Sequence, residues 1–387
     1  MAELESSLEN EWSLLRAACT ASSGPAKSEN VRQLLARPIR WNVLFEIAAR
    51  HGVQPPLCQA ISNYSDLIPP QQLSSAKRLY QANVHKALFL AREMISILDC
   101  LEARGIEVMP YKGLALAQTV YGDIAQRQPG DIDLLIHPED LSKIRDAVRE
   151  LGYVPHFQVL QQFEKHYLRS GYECAFDGTA GRNLLEVQWA IQPRFYSVDF
   201  DLEGVFARAV SIEVAGRRVK TPSPEDLFIL LSLHAAKHVW GRLIWLCDLE
   251  RIVRSPLDWK WVGLQARDLG IRRILRVTIL LMKNLLGTEI PCDFETSLAT
   301  DSTEIALARE IEMLISRSTP FEAESFAYFR LMLRLRERQS DRVRFLSRLV
   351  LTPGPGEWET IKLPSALAPF YRVIRLSRLA ARLLRQA

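Results

Sequence analysis

The stretch YKGLALAQTVYGDIAQRQPGDIDLLI, residues 111–136, decides how this chain is read. On a strand, successive side chains point to opposite faces, so Asp131, Asp133 and Leu135 share one face and Ile132, Leu134 and Ile136 the other. Two aspartates on one face repel each other unless a cation lies between them. Magnesium, or manganese in its place, takes oxygen ligands and bridges carboxylates to a substrate's phosphates. That chemistry suits phosphoryl or nucleotidyl transfer.

An Asp-x-Asp pair alone says little, because one arises by chance about once in a chain of this length. A second pair, Asp199-Phe200-Asp201, has no glycine turn closely upstream and reads as a solvated loop. The first pair is singled out by the turn before it. Gly113 opens a short helix over 114–121, and phosphates bind where N–H groups converge at a helix start, a place that a Cβ would block. Lys112 adds a point charge, and Arg127 a fork for bidentate phosphate contacts. The same two cations could instead neutralise the aspartates as salt-bridge partners.

Further strands are expected over 106–111, 172–176 and 183–189, with an amphipathic helix over 139–151. In Leu184-Leu185-Glu186-Val187-Gln188-Trp189, the residues Leu185, Val187 and Trp189 form one face and leave Glu186 and Gln188 on the other. A lone acid in an apolar strand is costly to bury unless paired or metal-bound. Glu186 is therefore the candidate third carboxylate, which would complete a two-metal site. On an edge strand it would simply face water.

Upstream, helical periodicity covers 31–50 and 72–104, interrupted at Pro55-Pro56 and Pro69-Pro70 and stopped by Gly105. Downstream of residue 221 the pattern is helical almost to the end, apart from a Pro/Gly break over 352–362. The division is a helical region over 1–105, an α/β core over 106–220 and a helical domain over 221–387. Within 226–254, the residues His234, His238, Gly241, Trp245 and Asp248 fall on one stripe of a continuous helix. The His-x-x-x-His pair lacks the glutamate of a zinc protease, since Ala235 stands there. The stripe reads either as a polar seam between helices or as a cleft wall that contacts nucleotide or acceptor. Lys237, off the stripe, reads as solvated.

Composition narrows the classes. Lys plus Arg number 49 and Asp plus Glu 45 in 387 residues, a globular balance with a net charge of +4. Residues 331–387 carry 12 basic and 4 acidic residues, so residues 1–330 sum to −4. The excess gathers in a basic amphipathic segment over 371–387, with Arg372, Arg375, Arg378, Arg382 and Arg385 at three- and four-residue spacing. It is read as a packed terminal helix with its arginines toward solvent or acidic neighbours, in preference to a membrane-surface segment. No nucleic-acid motif accompanies it. The cysteines Cys19, Cys58, Cys100, Cys174, Cys247 and Cys292 are scattered without metal-ligand spacing and read as buried thiols. No secretory pattern or spanning segment is seen, and the expected location is the cytoplasm.

The residues Tyr111-Lys112-Gly113-Leu114-Ala115-Leu116, Tyr121-Gly122-Asp123, Arg127 and Asp131-Ile132-Asp133 resemble the uncharacterised bacterial nucleotidyltransferase family of the polymerase-β superfamily. The similarity continues through Leu185-Glu186-Val187-Gln188-Trp189, His234, His238, Trp245 and Asp248, and reaches Leu363-Pro364 and Tyr371 to Leu376. It implies an α+β fold with a mixed-sheet nucleotidyltransferase core, magnesium on Asp131 and Asp133, and Glu186 as third acid. It also implies transfer of a nucleoside monophosphate from a nucleoside triphosphate to an acceptor, releasing pyrophosphate. Lys112, Gly113 and Arg127 would hold phosphates, with His234, His238 and Asp248 lining the nucleotide site. The superfamily's usual Gly-Ser is replaced by Lys112-Gly113, and Gln188 stands where the family often has histidine. The acceptor is a small molecule, a glycan precursor or a protein. Two alternatives are a metal-dependent glycosyltransferase using a sugar nucleotide and a nucleotide-binding scaffold without turnover.

Overall fold

The computed structural model describes residues 8–21, 24–156, 164–179, 181–290, 301–317, 325–353, 357, 361, 363–364, 367 and 370–386. The chain opens with helices α1 (Glu9–Cys19), α2 (Pro25–Leu35), α3 (Trp41–Arg50), α4 (Gln54–Ser62) and α5 (Pro70–Glu102). The expected helix over 31–50 is two helices, split around Pro38, whose ring cannot continue the first. Pro55 and Pro56 do not break a helix but open one, in the first turn of α4, where no helical N–H bond is lost. The 33-residue α5, roughly 50 Å long at 1.5 Å per residue, ends before Gly105, whose φ is +66°.

Next come β1 (Val108–Pro110), α6 (Gly113–Tyr121), β2 (Ile132–Ile136), α7 (Leu141–Glu150), β3 (Tyr153–Pro155), α8 (Glu164–Ser170), β4 (Glu173–Gly178) and β5 (Leu185–Gln188). The five strands form one mixed sheet in the order β1-β2-β5-β4-β3. β2 and β5 run parallel, and every other neighbouring pair is antiparallel. The period-two pattern sorts as expected. Ile132, Leu134, Ile136, Leu185 and Val187 bury against α5 and α7 in one core, while Leu135, Met109 and Tyr111 join a second core on the other face.

Helix α9 (Leu202–Ala207) precedes a hairpin, β6 (Val210–Val214) and β7 (Arg217–Thr221), that the sequence reading did not anticipate. Its turn is Ala215-Gly216, both left-handed at φ +48° and +82°, the two-residue geometry that twisted hairpins favour. The rest is helical: α10 (Pro224–Lys237), α11 (Leu243–Val253), α12 (Trp259–Leu269), α13 (Arg272–Leu286), α14 (Ser302–Arg317), α15 (Phe326–Arg334), α16 (Gln339–Leu351) and α17 (Tyr371–Gln386).

The first and last helical regions share one core, in which Leu14, Leu44 and Ile61 cluster with Leu230, Leu246 and Leu281. Polar contacts lock them together. Arg16 donates to the carbonyls of Leu285 and Asn284, both at 2.6 Å. His51 Nδ1 accepts the N–H of Leu243 at 3.2 Å and so caps α11 from the other region. Burial, helped by Arg50 and Arg242, pushes His51 down to about 4, which keeps that nitrogen free to accept.

The expected single helix over 226–254 is interrupted. Val239 and Trp240 adopt left-handed φ of +53° and +48° between α10 and α11. Such residues cost about 1–2 kcal/mol each. The bend is held by Trp240, fully buried, whose indole donates to Thr278 Oγ1 at 3.1 Å and whose N–H reaches the Ala235 carbonyl at 2.7 Å.

In the terminal helix, Tyr371 and Arg375 are buried, and Arg375 and Arg378 pair with Glu357 at 3.5 and 3.1 Å, while Arg372 is exposed. The side chains of Arg382 and Arg385 lie outside the described residues, as does Cys292. No described helix is long and apolar enough to cross a membrane. The described cysteines are free thiols, with Cys19, Cys58 and Cys247 buried and Cys100 and Cys174 half-buried. Asp199 sits on an exposed loop, 2.8 Å from Arg348, and Asp201 caps α9.

Candidate functional site

The register of β2 against β5 sets Asp133 beside Glu186, on the face away from the α5–α7 layer. Asp131 precedes β2 by one residue. One oxygen from each of Asp131, Asp133 and Glu186 lies within 4.8 Å of the other two. Asp133 is buried, and its two partners are half-buried. The crowding is expressed in their acidity. Burial, then Asp133 and Glu173, pushes the Glu186 carboxyl up to about 8. Burial and Asp133 push Asp131 up to about 6.

Two features of the turn before α6 complete this end. Lys112 Nζ lies 2.7 Å from Asp133 Oδ1, in a buried ion pair. Burial opposes the lysine's charge, but Asp133 outweighs it and holds the ammonium above the ordinary lysine range. Gly113 has φ +53°, and a Cβ there would stand 3.0 Å from the carbonyl oxygen of Asp131. Only glycine lets the helix start come this close to the acid-bearing loop.

Arg127 lines the cleft, whereas Asp248 is buried outside its lining and pairs with Arg127. Arg127 Nε is 3.1 Å from both Asp248 oxygens, and Tyr121 donates its hydroxyl to the same carboxylate at 2.8 Å. Burial disfavours the Arg127 charge, and Asp248 more than restores it. Lys112 is thus paired with an aspartate of the acidic pair, while Arg127 is paired with one from α11.

The break between α10 and α11 does not scatter the histidine stripe. His234, His238 and Trp245 stay in mutual ring contact, at centroid distances of 4.8, 5.3 and 5.4 Å. Burial and then Lys112 drive His234 well below the usual histidine range, so it is neutral. Burial and then Lys237 lower His238 as well, although that ring keeps contact with solvent. Together they form an uncharged aromatic wall opposite the acids, suited to a planar base.

The reading of Lys237 as solvated is corrected. It projects from the last turn of α10 into the cleft, 4.7 Å from the centroid of Tyr172 and 3.2 Å from its hydroxyl. Burial lowers its affinity for a proton, although Glu173 opposes the shift. The residue type suggested solvent, and the bent α10–α11 corner placed it inside.

Sequence reasoning also missed Glu173, on β4 opposite Gln188. Gln188 sits among the acids as a neutral donor, its Nε2 at 3.2 Å from Glu186, 3.3 Å from Glu173 and 3.5 Å from Asp133. Its oxygen accepts from Tyr111, and Glu173 accepts from Tyr172. The period-two pattern of β4 held the one available signal, an acid on the same face as Ala175. Lys86 of α5 and Arg242 before α11 line the cleft too, and no sequence signal links such distant residues. Lys86, Lys237 and Arg242 form no ion pair among the described residues.

The enclosed space is about 420 Å³, within the range of small-ligand sites. Its acidic floor lies on β2, β5 and β4, its aromatic wall on α10 and α11, and Lys86, Lys112, Arg127, Lys237 and Arg242 line it as well. The donor set fits a hard divalent ion: three carboxylates, no sulfur, with one oxygen from each within 4.8 Å of the other two.

Carboxylates from neighbouring parallel strands thus meet beside a helix that starts on a glycine. Residues 37–287 match the family described as uncharacterised nucleotidyltransferase, and the chain belongs to it. Among solved structures the chain is similar to an antigenic nucleotidyltransferase-like protein from Paracoccidioides brasiliensis, at 15% identity and a TM-score of 0.31, over 54% of this chain and 94% of that one. No match is found among curated proteins.

Proposed function

We propose that the protein transfers a nucleoside monophosphate from a nucleoside triphosphate to a hydroxyl-bearing acceptor, with Mg²⁺ or Mn²⁺ held by Asp131 and Asp133. The observation that supports this most is the convergence of Asp131, Asp133 and Glu186 within 4.8 Å on one sheet face. When bound, the ion supplies charge neutralisation at the α-phosphate and orients the pyrophosphate as leaving group. The acceptor oxygen forms a bond to the α-phosphorus as the bond to the β-phosphate bridging oxygen breaks. Glu186 either completes the ligands of a second ion or takes the proton from the acceptor hydroxyl, a role suited to a carboxyl pushed up to about 8.

Lys112 and the start of α6 at Gly113 receive phosphate oxygens. Lys237, Arg242 and Lys86 extend the grip, because among the described residues their charges are not spent on ion pairs. Arg127 contributes its outer face while Asp248 fixes its orientation. His234, His238 and Trp245 flank the base.

Incubation with each labelled triphosphate, cell extract and Mg²⁺ tests the reading. The expected result is label transfer by the wild type and a loss of more than about 100-fold in Asp131→Asn/Asp133→Asn. Equal transfer by both proteins would reject it. A second reading, nucleotide binding without turnover, draws on one observation: an ammonium already occupies Asp133 Oδ1 at 2.7 Å. It requires Mg²⁺-dependent stabilisation by triphosphate, with no label reaching any acceptor.

A further inference from the structure

A second polar cavity, of about 550 Å³, lies at the far end of α6 from the acids, between the end of α1, the start of α2, α4 and α11. Three cations line it: Lys27, Arg251 and Arg254. One acid answers them, the fully buried Glu250, which pairs with Arg254 at 3.4 Å. Lys27 and Arg251 form no ion pair among the described residues. Lys27 donates to the Thr20 carbonyl at 2.5 Å, and Arg251 to the carbonyls of Cys247 and Cys19 at 3.1 and 3.4 Å. Burial and then Arg251 weaken the hold of Lys27 on its proton.

The rest of the wall says what else the ligand carries. Val31, Ala60, Val120 and the rings of Tyr64 and Tyr121 give it an apolar and aromatic half. Gln59 and Asn63 add neutral polar groups at the rim. Arg251 lies over the Tyr121 ring, its Cζ 4.2 Å from the centroid, and donates to the carbonyls of Cys247 and Cys19. The opening turn of α2, an 11-residue helix, borders the cations and adds N–H groups that lack helical partners. A compact multiple anion attached to a flat or apolar body satisfies all of these surfaces at once.

We propose that this cavity is a second ligand site, separate from the catalytic cleft, for a phosphate-bearing small molecule of about nucleotide size. It adjoins the catalytic cleft through one short connection. Tyr121 forms its wall and, through its hydroxyl, fixes the Asp248 that holds Arg127.

Titration calorimetry with ADP and with inorganic pyrophosphate, in EDTA, is the test. Wild type and Asp131→Asn/Asp133→Asn are expected to bind ADP alike, whereas Lys27→Gln/Arg254→Gln loses about tenfold or more in affinity, as expected for charge-assisted contacts. Hydrogen exchange on the unmodified protein locates the site without relying on variants. ADP is expected to protect the first turn of α2 and residues 59–63. No ADP binding by the wild type would overturn the proposal. So would binding that survives in Lys27→Gln/Arg254→Gln, or protection confined to the turn at Gly113.

Discussion

Glu186 binds its proton more tightly in the folded protein than in the unfolded chain, with the carboxyl raised from 4.5 to about 8. Between those values the metal-free folded state therefore holds more protons than the unfolded state, so stability falls as pH rises through that window. Calorimetric melting in EDTA from about pH 5 to 8.5 should show a falling midpoint for the wild type and a visibly flatter profile for Glu186→Gln. Equal slopes would place the proton elsewhere. The acids themselves were legible from sequence, because a strand's two-residue period separates Asp131 and Asp133 from Ile132 and Leu134 whatever the rest of the chain does. Lys237 and Glu173 were not legible in the same way. Their placement depends on which elements meet across the cleft, and a residue's type carries no record of that.

At the scale of elements, the short helix α6 has glycines at both ends with different duties. Gly113 and Gly122 both have left-handed backbones, at φ +53° and +71°, but a Cβ would crowd the Asp131 carbonyl only at Gly113. Each Gly→Ala change should cost about 1–2 kcal/mol of stability from backbone strain. Only Gly113→Ala should also weaken Mg²⁺-triphosphate binding, read as a smaller ligand-induced rise in melting temperature. If Gly122→Ala loses that rise equally, the helix start has no special part in binding. Four of the five strands of the sheet were anticipated because apolar residues recur along them, but β3, three residues long with one buried side chain, was not. The β6–β7 hairpin was not: its strands are largely solvent-facing, and Ala215-Gly216 lacks the asparagine or aspartate that usually announces such a turn. The bend at Val239-Trp240 was hidden for a related reason, since neither residue is a turn former and tertiary burial of Trp240 holds the conformation.

For the whole molecule, the α/β core lies in sequence between two helical regions that form a single packed body. Residues 106–387 produced alone would expose the faces of α10, α11 and α13 that cover α1, α3 and α4. That fragment is expected to be insoluble, and co-expression with residues 1–105 should return a soluble, co-purifying complex; fractionation and affinity capture read the result. A well-folded, soluble 106–387 fragment would show that the shared core is dispensable. Sequence periodicity located both sets of helices yet gave no hint that they meet, because amphipathic faces do not name their partners.

That interleaving has a consequence for how the protein is made. Arg16 finds its carbonyl partners 268 and 269 residues later in the chain. At about 5–20 residues per second, a ribosome needs roughly 13–54 s to supply them. During that interval α1 to α4 can pack on one another, but the faces that meet α10, α11 and α13 have no partner. The pace of translation thus sets how long the first helices wait for their other half.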